Sequence, residues 1–213
     1  YAARLMTGET LAGLGFTEER EPNMVSVKKV VLPFRKLAGS DPMLGPEMKS
    51  TGEVMGVAST FGQAFAKATM AAGETVPVSG TVFLSLADVD KVELLPIARE
   101  LVELNFHLIA TSGTAKALED AGMPCQAVYK VNEGRPNIVD FVKNAEIDLI
   151  INTPMGLASH YDERAIRMAA LEFNIPCITT PAVAQAAVRG IRALSEQDFS
   201  VKSVQEWHET GAQ

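Results

Sequence analysis

From residue 81 onward the chain alternates short apolar runs with helix-forming segments, and this rhythm limits its folds more than any other feature. Residues 81–86 (Thr-Val-Phe-Leu-Ser-Leu), 107–110, 127–131, 147–151 and 175–179 read as strands. Residues 90–105, 114–121, 136–143 and 162–173 read as the intervening helices, and 181–194 as a helix after the last strand. Strands this short and apolar are covered on both faces. The pattern predicts an α/β fold: a central parallel sheet flanked by helices, with right-handed crossovers. Two unrelated α+β pieces are the other organisation the pattern allows. Local signals refine the helices. Asp90 and Glu93 have capping-box spacing, and Pro96 predicts a kink or a delayed start. Gly122 stops the second helix, Pro136 suits a first helical position, and Asp162 reads as a cap.

The first 80 residues follow a different plan. Residues 1–20 are expected to be helical, with Ala2, Ala3, Leu5, Met6 and Leu11 on a partly apolar face and Gly13 and Gly15 loosening the end. A strand is expected over 27–34, ended by Pro33. A loop follows over 39–46, and a second strand over 52–57. Thr60 then caps a helix through Met70, with Phe61, Ala64, Phe65 and Ala68 on one stripe. Residues 71–80, containing Gly73, Pro77 and Gly80, form the best linker. The boundary falls near residue 78, giving domains 1–78 and 79–213.

Composition excludes several function classes. A hydrophobic share of 47% with 21% charged residues is ordinary for a soluble globular chain. The net charge of −7 argues against nucleic-acid and membrane partners, although a local basic pocket is compatible with it. No apolar run approaches the ~18 residues a membrane span needs. Cys125 and Cys177 lack CxxC spacing or a histidine cluster and read as small buried hydrophobes. With no signal peptide, they point to a reducing cytoplasm. His107, His160 and His208 share no ligand spacing, so no metal site is expected. Trp207 is expected to pack the last helix. A start at Tyr1 rather than Met suits a fragment or a processed product.

The chemistry concentrates at one turn. Thr111-Ser112-Gly113-Thr114 follows a strand and opens a helix, leaving backbone N–H groups and the positive helix end facing outward. Gly113 allows close approach of a ligand, and the neighbouring hydroxyls add donors. No GxxxxGK[ST] sequence occurs, so this is not a P-loop. Plain helix capping is the alternative role for the same residues. Ligands of open parallel sheets bind beyond the carboxyl ends of the strands. Ser85, Lys130, Asn152 and Thr153 end neighbouring strands, and Lys91 begins the first helix. Two ammonium groups, several hydroxyls and an amide suit a phosphate attached to a polar ring. A solvated surface role is the alternative for Lys91 and for Lys130.

Residues 41–56 read Asp-Pro-Met-Leu-Gly-Pro-Glu-Met-Lys-Ser-Thr-Gly-Glu-Val-Met-Gly, a string that packing alone does not demand. Together with residues 27–34 and Phe65-Ala66-Lys67-Ala68, it resembles the end of the second ATP-grasp unit in the carbamoyl phosphate synthetase large chain. Residues from about 79 onward resemble the methylglyoxal-synthase-like allosteric domain that closes that chain. The resemblance implies a C-terminal segment of a larger enzyme. That enzyme is a carbon-nitrogen ligase making carbamoyl phosphate from bicarbonate, glutamine-derived ammonia and two ATP, with Mg²⁺ or Mn²⁺, for pyrimidine and arginine synthesis. The implied partners are the remainder of the large chain, a glutaminase small subunit and a nucleotide monophosphate effector (UMP or IMP). No nucleic acid or membrane is implied, and the implied location is cytoplasmic. The effector residues carried over are Ser85, Lys91, Thr111, Thr114, Lys130, Asn152 and Thr153, with Ser112 and Gly113 completing the turn. Pro154 departs from the hydroxyl residue of the family.

Three further positions bear on rival functions. Methylglyoxal synthases carry a general-base aspartate near the position of Arg135. An arginine cannot accept a proton at neutral pH, so no catalytic residue is expected in this segment. Arg135 either neutralises an anion or holds its turn. Relatives that bind ornithine have an acidic residue where Lys29 stands and a Tyr where Cys177 stands; only Thr179 fits, so no ornithine site is expected. Glu47, Lys49 and Glu53 read as scaffold charges. A methylglyoxal-synthase-type phosphate lyase and a stand-alone nucleotide-sensing module are the competing functions.

Overall fold

In the computed structural model, which describes residues 1–19, 22–32, 34, 50–153, 160–196 and 200–210, the first helix (α1) spans only Ala2–Met6. The helix expected over 1–20 is therefore cut to little more than one turn. None of its residues is buried, so no packing extends it. Gly8 takes φ +101°, and Arg4 folds back onto Glu9 with both guanidinium contacts at 2.6 Å. The chain divides into two compact units, Tyr1–Met24 with Val201–Gln213, and Val25–Ser200.

In the larger unit, β1 (Val25–Val31) pairs antiparallel with β2 (Gly52–Ala58), with Val31 opposite Gly52. Pro33 and residues 35–49 lie outside the described residues, and with them the 39–46 loop, Glu47, Lys49 and most of the 41–56 string. Helix α2 (Phe61–Ala71) starts as its sequence predicts, Thr60 accepting from the Gln63 N–H. Its buried face differs from the predicted stripe. Gly62, Ala64, Ala66 and Ala68 are buried, whereas Phe61 is exposed. The reason is the tightness of its two neighbours. A Cβ on Gly56 of β2 would stand 2.0 Å from the Ala64 carbonyl oxygen, and one on Gly62 would stand 2.4 Å from the Arg189 carbonyl oxygen. Only small residues fit between these backbones.

The remaining elements alternate as the sequence requires. They are β3 (Thr81–Ser85), a 3₁₀ turn (Asp88–Asp90), α3 (Lys91–Glu103), β4 (His107–Thr111), α4 (Ser112–Asp120), β5 (Gln126–Val128), α5 (Ile138–Lys143), β6 (Leu149–Asn152), α6 (His160–Glu172), β7 (Cys177–Ile178) and α7 (Pro181–Glu196). The five strands form one parallel sheet in the order β5-β4-β3-β6-β7. Successive strands build outward from β3 to β5, then cross to the other side of β3. One face is packed by Leu94, Leu101, Leu118 and Val188 from α3, α4 and α7 around Val82 and Leu84; the other by Ile138, Val142 and Ile166 from α5 and α6 around Phe83 and Ile150. Helix α7 also packs against α2.

Three helix starts differ from the sequence reading. Asp90 makes no side-chain cap and no capping box with Glu93, because the 3₁₀ turn already places it in helical backbone geometry (φ −92°, ψ −11°). Helix α3 runs through Pro96. Helix α5 begins at Ile138, two residues beyond Pro136, where Asn137 and Asp140 form a reciprocal capping box. Asp162 lies inside the first turn of α6, which begins at His160. In the smaller unit, α8 (Val204–Thr210) carries the partly buried Trp207, with the Lys202 ammonium 4.9 Å from its ring centroid.

Candidate functional site

The carboxyl ends of β3, β4 and β6 meet at the place where the strand order reverses, the usual ligand crevice of such sheets. A layer of buried hydroxyls lies there. Ser85, Thr111, Thr114 and Thr153 are each at most 5% exposed. Thr111 Oγ1 donates to Ser85 Oγ at 3.4 Å. The Leu86 N–H donates to Thr114 Oγ1 at 3.2 Å, and the Ala87 N–H to Thr153 Oγ1 at 3.1 Å. These bonds fix the path of the chain as it leaves β3. Because Thr114 and Thr153 act as acceptors, each keeps its own O–H to give. Asn152 is fully buried; its amide donates to the Ser85 carbonyl at 3.2 Å, and its Oδ1 has no partner among the described residues.

Above this layer sits the start of α4. Thr111 occupies the N-cap position with extended geometry, yet makes no side-chain cap. Its hydroxyl is turned to Ser85 instead, so plain capping does not account for it. Ser112 and Gly113 are exposed, and the first turn presents its N–H groups and positive dipole end outward. The Lys91 ammonium stands over this turn, 3.5 Å from the position a Cβ would take on Gly113. Lys91 is half-buried and paired with Asp88 at 2.6 Å.

Lys130 reaches the same region from the turn after β5. Its N–H donates to Glu133 at 3.1 Å, and Asn137 ties the turn by donating to the Val131 and Gly134 carbonyls. The Lys130 charge acts on two carboxyls. The hydrogen bond and charge of Lys91 hold the Asp88 carboxyl below its ordinary range, and Lys130 adds to this. At Asp162 burial raises the carboxyl, Lys130 opposes the rise, and Glu133 and Glu163 reinforce it. Two cations, an open helix start and a hydroxyl layer thus share one sheet edge. Such a set can hold a dianion such as phosphate by charge and by directed donors.

Of the residues read from sequence, Ser85, Thr111, Ser112, Gly113, Thr114, Asn152 and Thr153 lie at this edge, with Lys91 over it and Lys130 flanking it. Pro154 lies outside the described residues. Arg135 does not join them by any contact described here. Its exposed guanidinium lies 3.9 Å from Asp140, which caps α5, and this favours its turn-holding role. Asp88 is the residue sequence reasoning missed. Its i,i+3 spacing to Lys91 in Asp-Val-Asp-Lys was the available signal, masked by the reading of Asp90 as a cap. Lys29 pairs with Glu74 at 2.6 Å, beside the Phe65 ring. Cys125 and Cys177 are thiols but only partly buried, less enclosed than core hydrophobes. Among the described residues no helix is long and apolar enough to cross a membrane.

Comparison with known proteins places the chain in a family. Residues 93–179 match the MGS-like (methylglyoxal-synthase-like) domain. The chain is 48% identical over 206 residues to the carbamoyl phosphate synthase large chain of Nostoc sp., covering 97% of this chain and 19% of that protein. The corresponding protein of Pseudomonas putida is 50% identical over 207 residues, again 97% of this chain and 19% of the relative. That of Methanosarcina acetivorans is 46% identical over 208 residues, with the same coverage. The chain therefore spans about a fifth of the length of the relatives it matches. It belongs to the carbamoyl phosphate synthase large-chain family, corresponding to the C-terminal part of that chain and carrying an MGS-like domain.

Proposed function

We propose that residues 79–213 form an allosteric domain that binds a nucleotide monophosphate of the UMP or IMP type, and that residues 1–78 close an ATP-grasp unit. The whole protein is then a ligase making carbamoyl phosphate from bicarbonate, glutamine-derived ammonia and two ATP with Mg²⁺ or Mn²⁺. It works in the cytoplasm with the remainder of the large chain and a glutaminase small subunit, and supplies pyrimidine and arginine synthesis. One observation carries the effector reading: the Lys91 ammonium stands over a helix start whose N-cap threonine leaves it uncapped. The phosphate takes this seat between Lys91 and Lys130. Asn152 Oδ1, a buried acceptor in need of a donor, suits an N–H or O–H of the attached nucleoside.

The domain senses without reacting. Arg135, which stands near the position where methylglyoxal synthases carry an aspartate, supplies no general base. Regulation comes from differential binding: the effector prefers one arrangement of the domain against the catalytic unit, a coupling of about 1–3 kcal/mol. Lys29 stands where ornithine-binding relatives carry an acidic residue, and its ammonium, which already occupies Glu74, disfavours the ammonium of ornithine.

A thermal-shift screen of the chain against UMP, IMP, AMP, inorganic phosphate and ornithine tests this. UMP or IMP should raise the melting temperature, and Thr111→Ala and Lys130→Ala should each diminish that rise. A response to ornithine alone, or nucleotide shifts unchanged in both variants, would remove the assignment. Release of phosphate from a triose phosphate would instead point to lyase chemistry.

A further inference from the structure

The anion seat described above already contains a carboxylate. Asp88 Oδ1 lies 2.6 Å from the Lys91 ammonium, the same group that stands over the first turn of α4. The two partners are unequal. The Lys91 side chain is 23% exposed and the Asp88 side chain 92% exposed. Lys91 is thus fixed in the wall of the crevice, and Asp88 reaches it from the solvent side. The exposed Asp88–Asp90 turn follows directly on Ala87, whose N–H is tied to Thr153. The strand exit is anchored, while among the described residues the carboxylate is held by the Lys91 ammonium.

A phosphate seated on α4 needs that cation, and it repels a carboxylate beside it. We propose that Asp88 is a resident competitor for the anion seat, a positioning residue that holds Lys91 and must yield it when a phosphate-bearing ligand binds. The proposal rests on the effector reading above. Asp88 thereby lowers affinity, keeping the site responsive over a higher range of ligand concentration. The Lys130 charge adds to that of Lys91 in holding the Asp88 carboxyl below its ordinary range. The role differs from an ordinary surface ion pair in one respect. Removing Asp88 while keeping Lys91 should strengthen ligand binding, whereas losing the carboxylate of an ion pair that merely supports the turn would weaken it.

Isothermal calorimetry of the intact chain with inorganic phosphate and with UMP separates these outcomes. Asp88→Asn should bind both about fivefold tighter than the unaltered chain, and Asp88→Glu, which keeps the charge, should stay close to it. In a Lys91→Met background the gain from Asp88→Asn should vanish, since the competition runs through Lys91. Unchanged or weaker binding by Asp88→Asn, with the unaltered chain binding normally, overturns the competitor role and leaves the effector site standing. An equal gain with and without Lys91 also overturns it, showing only a general field effect. Absence of binding in both the unaltered chain and Asp88→Asn brings down the effector reading as well.

Discussion

The two rims of the parallel sheet look alike in a topology diagram but differ in kind. The amino rim, below β3, β4 and β5, opens into a cavity of about 720 Å³, lined in part by His107, Cys125, Glu146 and Asp148. Its polar groups are already engaged in holding the fold. Asp148 accepts the Thr81 N–H at 2.8 Å, and Glu146 accepts from Asn144 at 3.0 Å. The carboxyl rim gathers two ammonium groups, an uncapped helix start and hydroxyls with donors to spare. The effector site proposed above is thus placed by the sign of charge and by donor availability, not by cavity volume.

The largest expected effect lies at the amino rim. Gly80 has φ +118°, and a Cβ there would stand 1.9 Å from Asp148 Oδ2. Gly80→Ala should cost about 3 kcal/mol of stability from backbone strain and loss of the Asp148 bond, measured by urea unfolding. Phosphate affinity of the folded variant should not change; if it falls, the two rims are coupled and the contrast fails. At the carboxyl rim the reverse is expected. Lys130→Glu should weaken phosphate binding about thirtyfold by calorimetry, through loss of a charge-assisted contact, and leave the urea midpoint nearly unmoved.

A smaller effect should bridge stability and binding. Asn137 is buried, caps α5 and ties the turn that carries Lys130. Asn137→Ala should cost about 1 kcal/mol and loosen phosphate binding severalfold; a stability loss with affinity intact would show that Lys130 does not depend on that turn. The weakest effect is a matter of pH. Burial, with a contribution from Glu119, pushes the Cys125 thiol up to about 11. Its folded pKa exceeds that of an unfolded thiol, so the unfolded chain loses this proton first. The contribution is full below about pH 9 and disappears as pH rises through about 11. Alkylation of Cys125 should accordingly stay slow near pH 8, and rapid labelling there would place the thiol in a more open setting.

Much of this was legible in the residues. Each of the five apolar runs from residue 81 onward became a parallel strand, and the helices between them fell within a few residues of their expected places. Failures concentrated at helix starts, at Asp90, Pro136 and Asp162, and in the truncated first helix. A start is settled by where the preceding turn leaves the backbone, and a marginal helix by what it can pack on. Neither is a property of the local sequence. Likewise, Phe61 looked like core, but two neighbouring backbones approached α2 so closely that glycine and alanine took its buried face.

The sequence alone determined the α/β class and the family, because strand alternation and a likeness of 48% identity over 206 residues are written along the chain. It also named the side chains suited to an anion, since donors and cations at strand ends are a property of residue type and position. The tertiary structure decided how they are used. Only folding could turn the Thr111 hydroxyl from the helix cap to Ser85 and bury Asn152 against the Ser85 carbonyl. Such partnerships depend on distances between elements far apart in sequence, and these exist only once the sheet is assembled.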